Sequence, residues 1–184
     1  MHTEEPTNRV EHTIDMGKVN LWVFIMIFPI LLLFLLPFLL IWDFELIGLG
    51  RVILIKFGFI LVLLGIVFHE LLHGITWALF ATKGFKSIRF GINWKWLAPY
   101  CHCKEPLKAK HYAIGGLMPL VVMGIIPVII ALVIGNAVLL VFGIIFTWTA
   151  GGDIISIYML RKVNRNILVF DHPDKIGFYT IDSK

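Results

Sequence analysis

Residues 52–81 read VILIKFGFILVLLGIVFHELLHGITWALFA, a run of 30 residues whose only charged members are Lys56 and Glu70. A bilayer core of about 30 Å is crossed by around 20 helical residues, so this run is long enough to span it as one helix, with some tilt. Ionisable side chains are rare in such helices and are generally functional. The run therefore predicts a helical membrane protein and places its chemistry in this helix.

The composition of the whole chain supports the same class of protein. Of its 184 residues, 59% are hydrophobic and 15% are charged, whereas soluble domains have roughly 45–50% apolar and about 25% charged residues. The excess apolar surface requires lipid to cover it, which excludes an ordinary soluble domain and intrinsic disorder. Cys101 and Cys103 lie too close together to close a useful disulfide loop, which argues against a disulfide scaffold.

The remaining residues predict an all-α integral membrane fold of about four transmembrane helices, forming a single domain over 1–184. Three further apolar runs are long enough to span a membrane: 19–42, 112–134 and 137–160. Gly135-Asn136 supplies the turn between the last two runs, and Pro29 and Pro37 are expected to kink the first. The polar segments are the N-terminal tail 1–18, the loop 82–111 and the C-terminal tail 161–184.

The loop 82–111 carries a pattern typical of a β-strand. Five apolar residues alternate with more polar ones: Ile88, Phe90, Ile92, Trp94 and Trp96. This period of two predicts a short β-ribbon between the second and third helices. Two roles remain open for it, an aromatic belt at the membrane interface and an edge strand that receives an extended peptide beside the site.

The charge distribution predicts the orientation of the protein. The net charge is +4, and fourteen of the sixteen Lys and Arg residues fall in the two tails and the loop 82–111. By the positive-inside rule, both termini and this loop are expected to be cytoplasmic. The basic residues thus indicate a bilayer as partner, and no nucleic acid is expected.

Within the first-quoted run, His69-Glu70-Leu71-Leu72-His73 matches the pattern H-E-x-x-H. Residues i and i+4 lie about 40° apart around a helix, so both imidazoles can bind one Zn²⁺ while Glu70 acts as general base on a water. The alternative is a polar network that only holds helices together.

A catalytic zinc site usually has three protein ligands, and the predicted third is Asp153. Apart from Lys56, it is the only other ionisable residue in the spans, and Gly151-Gly152 before it would permit close approach to the second helix. At 1.5 Å per residue, Asp153 lies roughly 10 Å and His73 roughly 13 Å from the cytoplasmic ends of their spans. An ion pair between Asp153 and Lys56 is the alternative, although Lys56 belongs near the opposite face.

Several motifs together resemble a known family. They are HELLHG (69–74), PYCHCKEP (99–106), GGLMPL (115–120), AGGD (150–153) and DHPDKIGFY (171–179). This combination resembles the bacterial membrane family described as "Putative zincin peptidase" and is more distantly similar to the site-2 proteases. The resemblance implies His69, His73 and Asp153 as zinc ligands and Glu70 as base. The chain departs from the site-2 pattern because Asp153 follows Gly-Gly and precedes Ile154.

The leading functional hypothesis is an intramembrane zinc metalloendopeptidase, a hydrolase that cleaves a membrane-associated peptide or protein. The alternatives are a non-catalytic, zinc-stabilised membrane protein or adaptor, and an ion or metal transporter. Two motifs have no assigned role. Cys101-His102-Cys103 could form a second metal site with His111, act as a redox-sensitive pair or serve packing alone. Asp171-His172-Pro173 could be a turn, a docking element or an extra ligand.

Overall fold

The computed structural model describes residues 9–42, 45–94, 98–172 and 175–181. Its helices are α1 (Met16–Ile41), α2 (Glu45–Phe80), α3 (Ala109–Ile134), α4 (Ala137–Thr149) and α5 (Gly151–Leu160). Its strands are β1 (Arg9–Ile14), β2 (Ile88–Asn93), β3 (Ala98–Cys103), β4 (Leu107–Lys108), β5 (Leu168–Asp171) and β6 (Ile176–Ile181). Three helical segments are long and apolar enough to cross a membrane: Met16–Ile41, Ile55–Phe80 and Ala109–Ile134.

The fourth predicted span is a bent pair rather than one straight helix. The axes of α4 and α5 differ by 49° at Ala150. Asp153 therefore lies in the first turn of a new helix, where unpaired backbone N–H groups and the helix dipole favour a negative charge. The bend places this carboxylate at a helix start instead of in the middle of a continuous span.

The glycines before Asp153 have a different role from the predicted one. A Cβ on Gly151 would lie 2.8 Å from Val23 of α1, and the nearest neighbour of a Cβ on Gly152 would be Ile176 of β6, at 3.9 Å. The prediction that these glycines allow approach to the second helix is therefore wrong. Gly151 allows α5 to pack against α1, and Asp153 reaches α2 with its side chain.

Two helices continue past their prolines through π-helical turns. The turn Leu31–Leu35 ends two residues before Pro37, and the turn Leu120–Ile125 ends two residues before Pro127. Proline lacks the N–H of the regular ladder, and a wider turn before it accommodates the missing bond. Both helices keep their membrane-crossing length because the disturbance is absorbed locally.

The all-α prediction is corrected by a four-stranded antiparallel sheet in the order β1-β6-β5-β4. The segments 1–18 and 161–184 were expected to be polar tails, yet both contribute strands, and Arg9 pairs with Ile181 while Ile14 pairs with Ile176. The ladder of β1 and β6 satisfies backbone groups that a loose tail would leave to water. Both ends of the described chain are thereby joined in one sheet.

The predicted ribbon is present as an antiparallel hairpin of β2 and β3, in which Phe90 pairs with Cys101. Phe90 and Ile92 are 45% and 48% exposed, so much of the apolar face of β2 is not covered by protein. Trp96 lies outside the described residues.

Two clusters of buried side chains hold the helices. One, around Phe38, Val128 and Leu140, joins α1, α3 and α4. The other, around Trp77, Tyr112 and Phe178, joins α2 and α3 to the four-stranded sheet. The HELLH motif lies next to this second cluster, where helices and sheet meet.

Candidate metal centre

His69 and His73 lie one helical turn apart on α2 and project into the protein. Their exposed fractions are 7% and 4%, and their Nε2 atoms are 3.2 Å apart. This is the arrangement expected of an i, i+4 pair on one helix face. Two buried imidazoles thus point their outer nitrogens at the same place.

Asp153 of α5 completes the cluster from across the helix bundle. Its Oδ2 atom is 3.1 Å from His69 Nε2, and its Oδ1 atom is 3.4 Å from His73 Nε2. The structure therefore brings together the three residues predicted as ligands, although 84 positions separate His69 from Asp153. Lys56, the alternative partner of Asp153, has an exposed side chain on α2.

The three side chains fit a metal ion by distance. Zinc binds imidazole nitrogen and carboxylate oxygen at about 2.0–2.2 Å, so two ligands of a tetrahedral ion lie about 3.3–3.5 Å apart. The observed separations of 3.1, 3.2 and 3.4 Å are close to this spacing. Among the residues that the structure describes, this is the group of His, Cys, Asp and Glu side chains that could hold a metal ion.

The hydrogen bonds around the cluster also fit a bound cation. The Nδ1–H group of His73 donates to the Gly115 carbonyl oxygen at 2.9 Å, so neutral His73 presents a bare Nε2 to the Asp153 carboxylate. Within the described part of the chain, the buried Nδ1 of His69 has no partner. The cluster holds more acceptors than donors, and a cation at its centre would satisfy both imidazoles and the carboxylate.

A stack of rings supports the His73 side chain. The Trp77 ring lies 5.2 Å from the ring of His73 and 5.3 Å from that of Tyr112, and Trp77 Nε1 donates to the Tyr112 carbonyl at 3.1 Å. A Cβ on Gly115 would collide with the Trp77 indole. Gly115 therefore has two roles: its missing side chain admits the Trp77 ring, and its carbonyl oxygen orients His73.

Glu70 lies between the metal cluster and strand β3. The backbone N–H of Cys101 bonds to its carboxylate, and both residues line a cavity of about 580 Å³ that also contains His69, His73 and Asp153. A carboxylate within the same cavity as a candidate metal site is positioned to exchange protons with a water there. The structure thus brings all four predicted site residues to one cavity.

The sequence-based interpretation missed a second cluster on this cavity. His102 Nδ1 is 2.8 Å from Asp171 Oδ2, and the Tyr112 hydroxyl donates to Asp171 Oδ1 at 2.8 Å. The two motifs without an assigned role therefore meet each other, across a separation of 69 positions. Nothing in either motif signals the pairing, which depends on how the β2–β3 hairpin packs against β5.

The metal-ligand alternatives for these motifs are not met within the described residues. His111 stacks on Phe80 at 4.1 Å, and Cys103 Sγ donates to the Glu105 carbonyl at 3.4 Å, so these side chains form no second metal site there. His172 bonds through Nε2 to the Tyr179 hydroxyl at 2.8 Å instead of joining the metal cluster. Pro173 lies outside the described residues.

The two thiols are poor nucleophiles in this environment. Burial, together with the nearby carboxylates of Glu70 and Asp171, raises the pKa of Cys101 well above its ordinary value. Burial also raises the pKa of Cys103, to about 11. Because the thiolate is the form that binds metals and reacts with oxidants, these raised pKa values lower the reactive fraction of both cysteines at neutral pH.

Comparison with known families identifies residues 60–168 as a match to the family described as "Putative zincin peptidase". The chain belongs to this family. The match contains His69, Glu70, His73 and Asp153, whereas Asp171 lies beyond its end. Comparison with curated proteins and with solved structures gives no match. Zincin peptidases are metallopeptidases, and the family thereby implies zinc, for which the His69, His73 and Asp153 cluster offers nitrogen and oxygen ligands.

Proposed function

We propose that this chain is an intramembrane zinc metallopeptidase that hydrolyses a membrane-associated peptide. The observation that carries the proposal is the convergence of His69, His73 and Asp153, whose ligand atoms lie within 4.8 Å of one another, in one cavity with Glu70. Three ligands leave one tetrahedral position open, as in catalytic zinc sites, whereas structural sites are closed by four.

His69, His73 and Asp153 would hold the metal, and Glu70 would act as general base. When bound, Zn²⁺ lowers the pKa of water and polarises a carbonyl group. Glu70 accepts a proton from the water while the water oxygen attacks the carbon of the scissile carbonyl. Glu70 then delivers that proton to the nitrogen of the peptide bond as the C–N bond breaks. The N–H of Cys101 orients the Glu70 carboxylate for this exchange.

The substrate is proposed to bind in extended form. A helix shields its amides within its own hydrogen bonds, so a transmembrane or membrane-adjacent peptide must unwind before it is cut. The cavity is lined by residues of α1, α2 and α5 and by residues of the strands, including Cys101 of β3, whose N–H bonds to Glu70. An extended peptide could therefore lie alongside a strand at the base.

The proposed location is an integral, multi-pass position in the cytoplasmic membrane, with the lipid bilayer as a partner and both termini cytoplasmic. The support is the length of the three apolar helices and the concentration of basic residues in the tails and the loop 82–111. The four-stranded sheet would then lie at the cytoplasmic end of the cavity, where water can enter.

Zinc content and peptide cleavage together test the proposal. Purified protein is expected to contain one zinc per chain and to lose it on His69→Ala or Asp153→Ala. Glu70→Gln is expected to keep the zinc and lose cleavage by at least 100-fold, since a general base typically contributes 10²–10⁴-fold.

The same variant separates the enzyme from a zinc-stabilised adaptor, which would need no base. Retained zinc with unchanged biological function in Glu70→Gln would favour the adaptor. If the purified protein lacks zinc, and if His69→Ala changes neither its function nor its stability, neither the zinc enzyme nor the zinc-stabilised adaptor is supported.

A further inference from the structure

The pair of His102 and Asp171 lines the same cavity as the metal cluster. The His102 side chain is 17% exposed and that of Asp171 is 12% exposed, so both are sheltered but not sealed. The hydrogen bond between them involves Nδ1 of the imidazole. The other nitrogen, Nε2, has no hydrogen-bond partner among the described residues and remains available to a molecule in the cavity.

Asp171 is held in place by three donors from two elements, strand β3 and helix α3. Its carboxylate accepts bonds from His102 Nδ1 and the Cys103 N–H, at 2.8 and 3.3 Å, and from the Tyr112 hydroxyl at 2.8 Å. A carboxylate fixed by several donors in turn fixes the orientation of the imidazole that it contacts. Asp171 is thus a positioning residue for His102.

Backbone geometry brings His102 close to the proposed base. Its neighbour in β3 is Cys101, whose N–H bonds to the Glu70 carboxylate. The same short strand therefore orients the base through its backbone and presents an imidazole with its next side chain. A further series of contacts, from Asp171 through Tyr112 and Trp77 to His73, connects this pair to the metal cluster.

We propose that His102, with a proton on each ring nitrogen, is a second catalytic residue of this site. Its Nδ1–H donates to Asp171, and its Nε2–H donates a hydrogen bond to the oxygen of the scissile carbonyl as that oxygen gains negative charge. The inference rests on the proposed function, and the reaction is unchanged. The bond from the water oxygen to the carbonyl carbon forms, the C–N bond breaks, and the proton taken by Glu70 passes to the amine. The His102 proton stays on His102.

The test measures cleavage of the proteins in vesicles of bacterial inner membrane, with new peptide N-termini identified by mass spectrometry. Kinetics are then measured on the peptide bond cut most often. The proteins compared are the wild type, Glu70→Gln, His102→Ala, Asp171→Asn and, as a matched control, His111→Ala. The ring of His111 packs on Phe80, and this residue does not line the cavity.

For His102→Ala, kcat is expected to fall about 100–1000-fold, the usual cost of removing one donor to a developing oxyanion, while KM changes less than about 3-fold. Asp171→Asn, which removes the group that positions His102, should also lower kcat. Both variants should retain one zinc per chain and melt within a few degrees of the wild type. Added imidazole should restore His102→Ala at least 10-fold but should not restore Glu70→Gln. His111→Ala should match the wild type.

Each other outcome overturns the inference in a recognisable way. Cleavage that is absent in the wild type, or unchanged in Glu70→Gln, defeats the proposed function and this inference with it. Cleavage that requires Glu70 but stays within about 3-fold in His102→Ala defeats the inference alone. Loss of zinc or stability in His102→Ala, or failure of imidazole to restore it, would show that the pair only fastens the hairpin to the sheet.

Discussion

Two clusters of histidine and aspartate line one cavity, and their hydrogen bonds differ. Around Asp153, two imidazole nitrogens approach the carboxylate at 3.1 and 3.4 Å and each other at 3.2 Å. Around Asp171, one imidazole, one hydroxyl and one backbone N–H all donate to the carboxylate. In the second cluster each contact to the carboxylate comes from a donor, whereas in the first two imidazole nitrogens face each other, an arrangement that a cation between them would satisfy.

The two proposed roles rest on this difference: the first pairing is proposed to bind metal and the second to position a proton donor. The same two residue types serve both purposes, and the surrounding donors decide between them. The Gly115 carbonyl turns the bare nitrogen of His73 toward Asp153. Around Asp171, His102 Nδ1 is one of the three donors, and only Nε2 of that ring has no hydrogen-bond partner among the described residues.

The largest effect is expected from removing one carboxylate of each cluster in turn. Asp153→Ala should lower zinc affinity by more than the 10–100-fold that follows loss of a group that only supports a ligand. Asp171→Asn should retain one zinc per chain. Mass-spectrometric metal analysis after dialysis against a competing chelator measures both, and equal losses would contradict the distinction between the clusters.

The next effect concerns stability and depends on bound metal. A ligand present at 100–1000 times its Kd stabilises the folded state by about 2.7–4.1 kcal/mol. Zinc removal should therefore lower the melting temperature of the wild type and of Asp171→Asn by several degrees. Asp153→Ala should melt at the same temperature with and without chelator. A thermal melt in detergent micelles is sufficient, and a chelator response in Asp153→Ala would place the metal elsewhere.

A smaller effect is expected at Gly115, which supports the first cluster without binding metal. Its Cβ in Gly115→Ala would collide with Trp77 and displace either the carbonyl that orients His73 or the ring that stacks on it. Zinc affinity should fall about 10–100-fold. Gly48→Ala is the matched control, because its Cβ meets no heavy atom within 4 Å. Competition with a fluorescent zinc chelator compares the two variants.

The last effect concerns thiol reactivity and leaves metal binding and cleavage unchanged. With its pKa raised to about 11, Cys103 should have roughly 300-fold less thiolate at pH 7.5 than a free cysteine of pKa about 8.5. Because deprotonation occurs only as pH rises toward that raised value, alkylation by iodoacetamide should accelerate about tenfold per pH unit between pH 7 and 9. Peptide mass spectrometry measures the rate, and a rate at pH 7.5 equal to that of the denatured chain would contradict the assignment.

The sequence could predict the convergence around Asp153 because that inference needs only two periodic features. The helical spacing of His69 and His73 fixes their common face, and counting residues from the span ends fixes their depth relative to Asp153. Their roles as ligands remain a prediction. The resemblance read from the motifs, by contrast, is confirmed by the family match over residues 60–168.

The features that the sequence could not predict depend on contacts between distant segments. Strands β1 and β6 pair across almost the whole described chain, and β6 also pairs with β5, so both strands depend on partners that are distant in sequence. The bond from His102 to Asp171 likewise arises from packing of the hairpin against the sheet. The contact of Gly151 with Val23 requires knowledge of the bend at Ala150, which no local pattern announces.

The central claim is that zinc binds His69, His73 and Asp153, and X-ray absorption at the zinc edge of the purified protein tests it most directly. The account predicts one zinc per chain with a first shell of nitrogen and oxygen at about 2.0–2.2 Å, the outer-shell signature of two imidazoles, and loss of this spectrum in Asp153→Ala. A sulfur shell at about 2.3 Å, or an unchanged spectrum in Asp153→Ala, would contradict it.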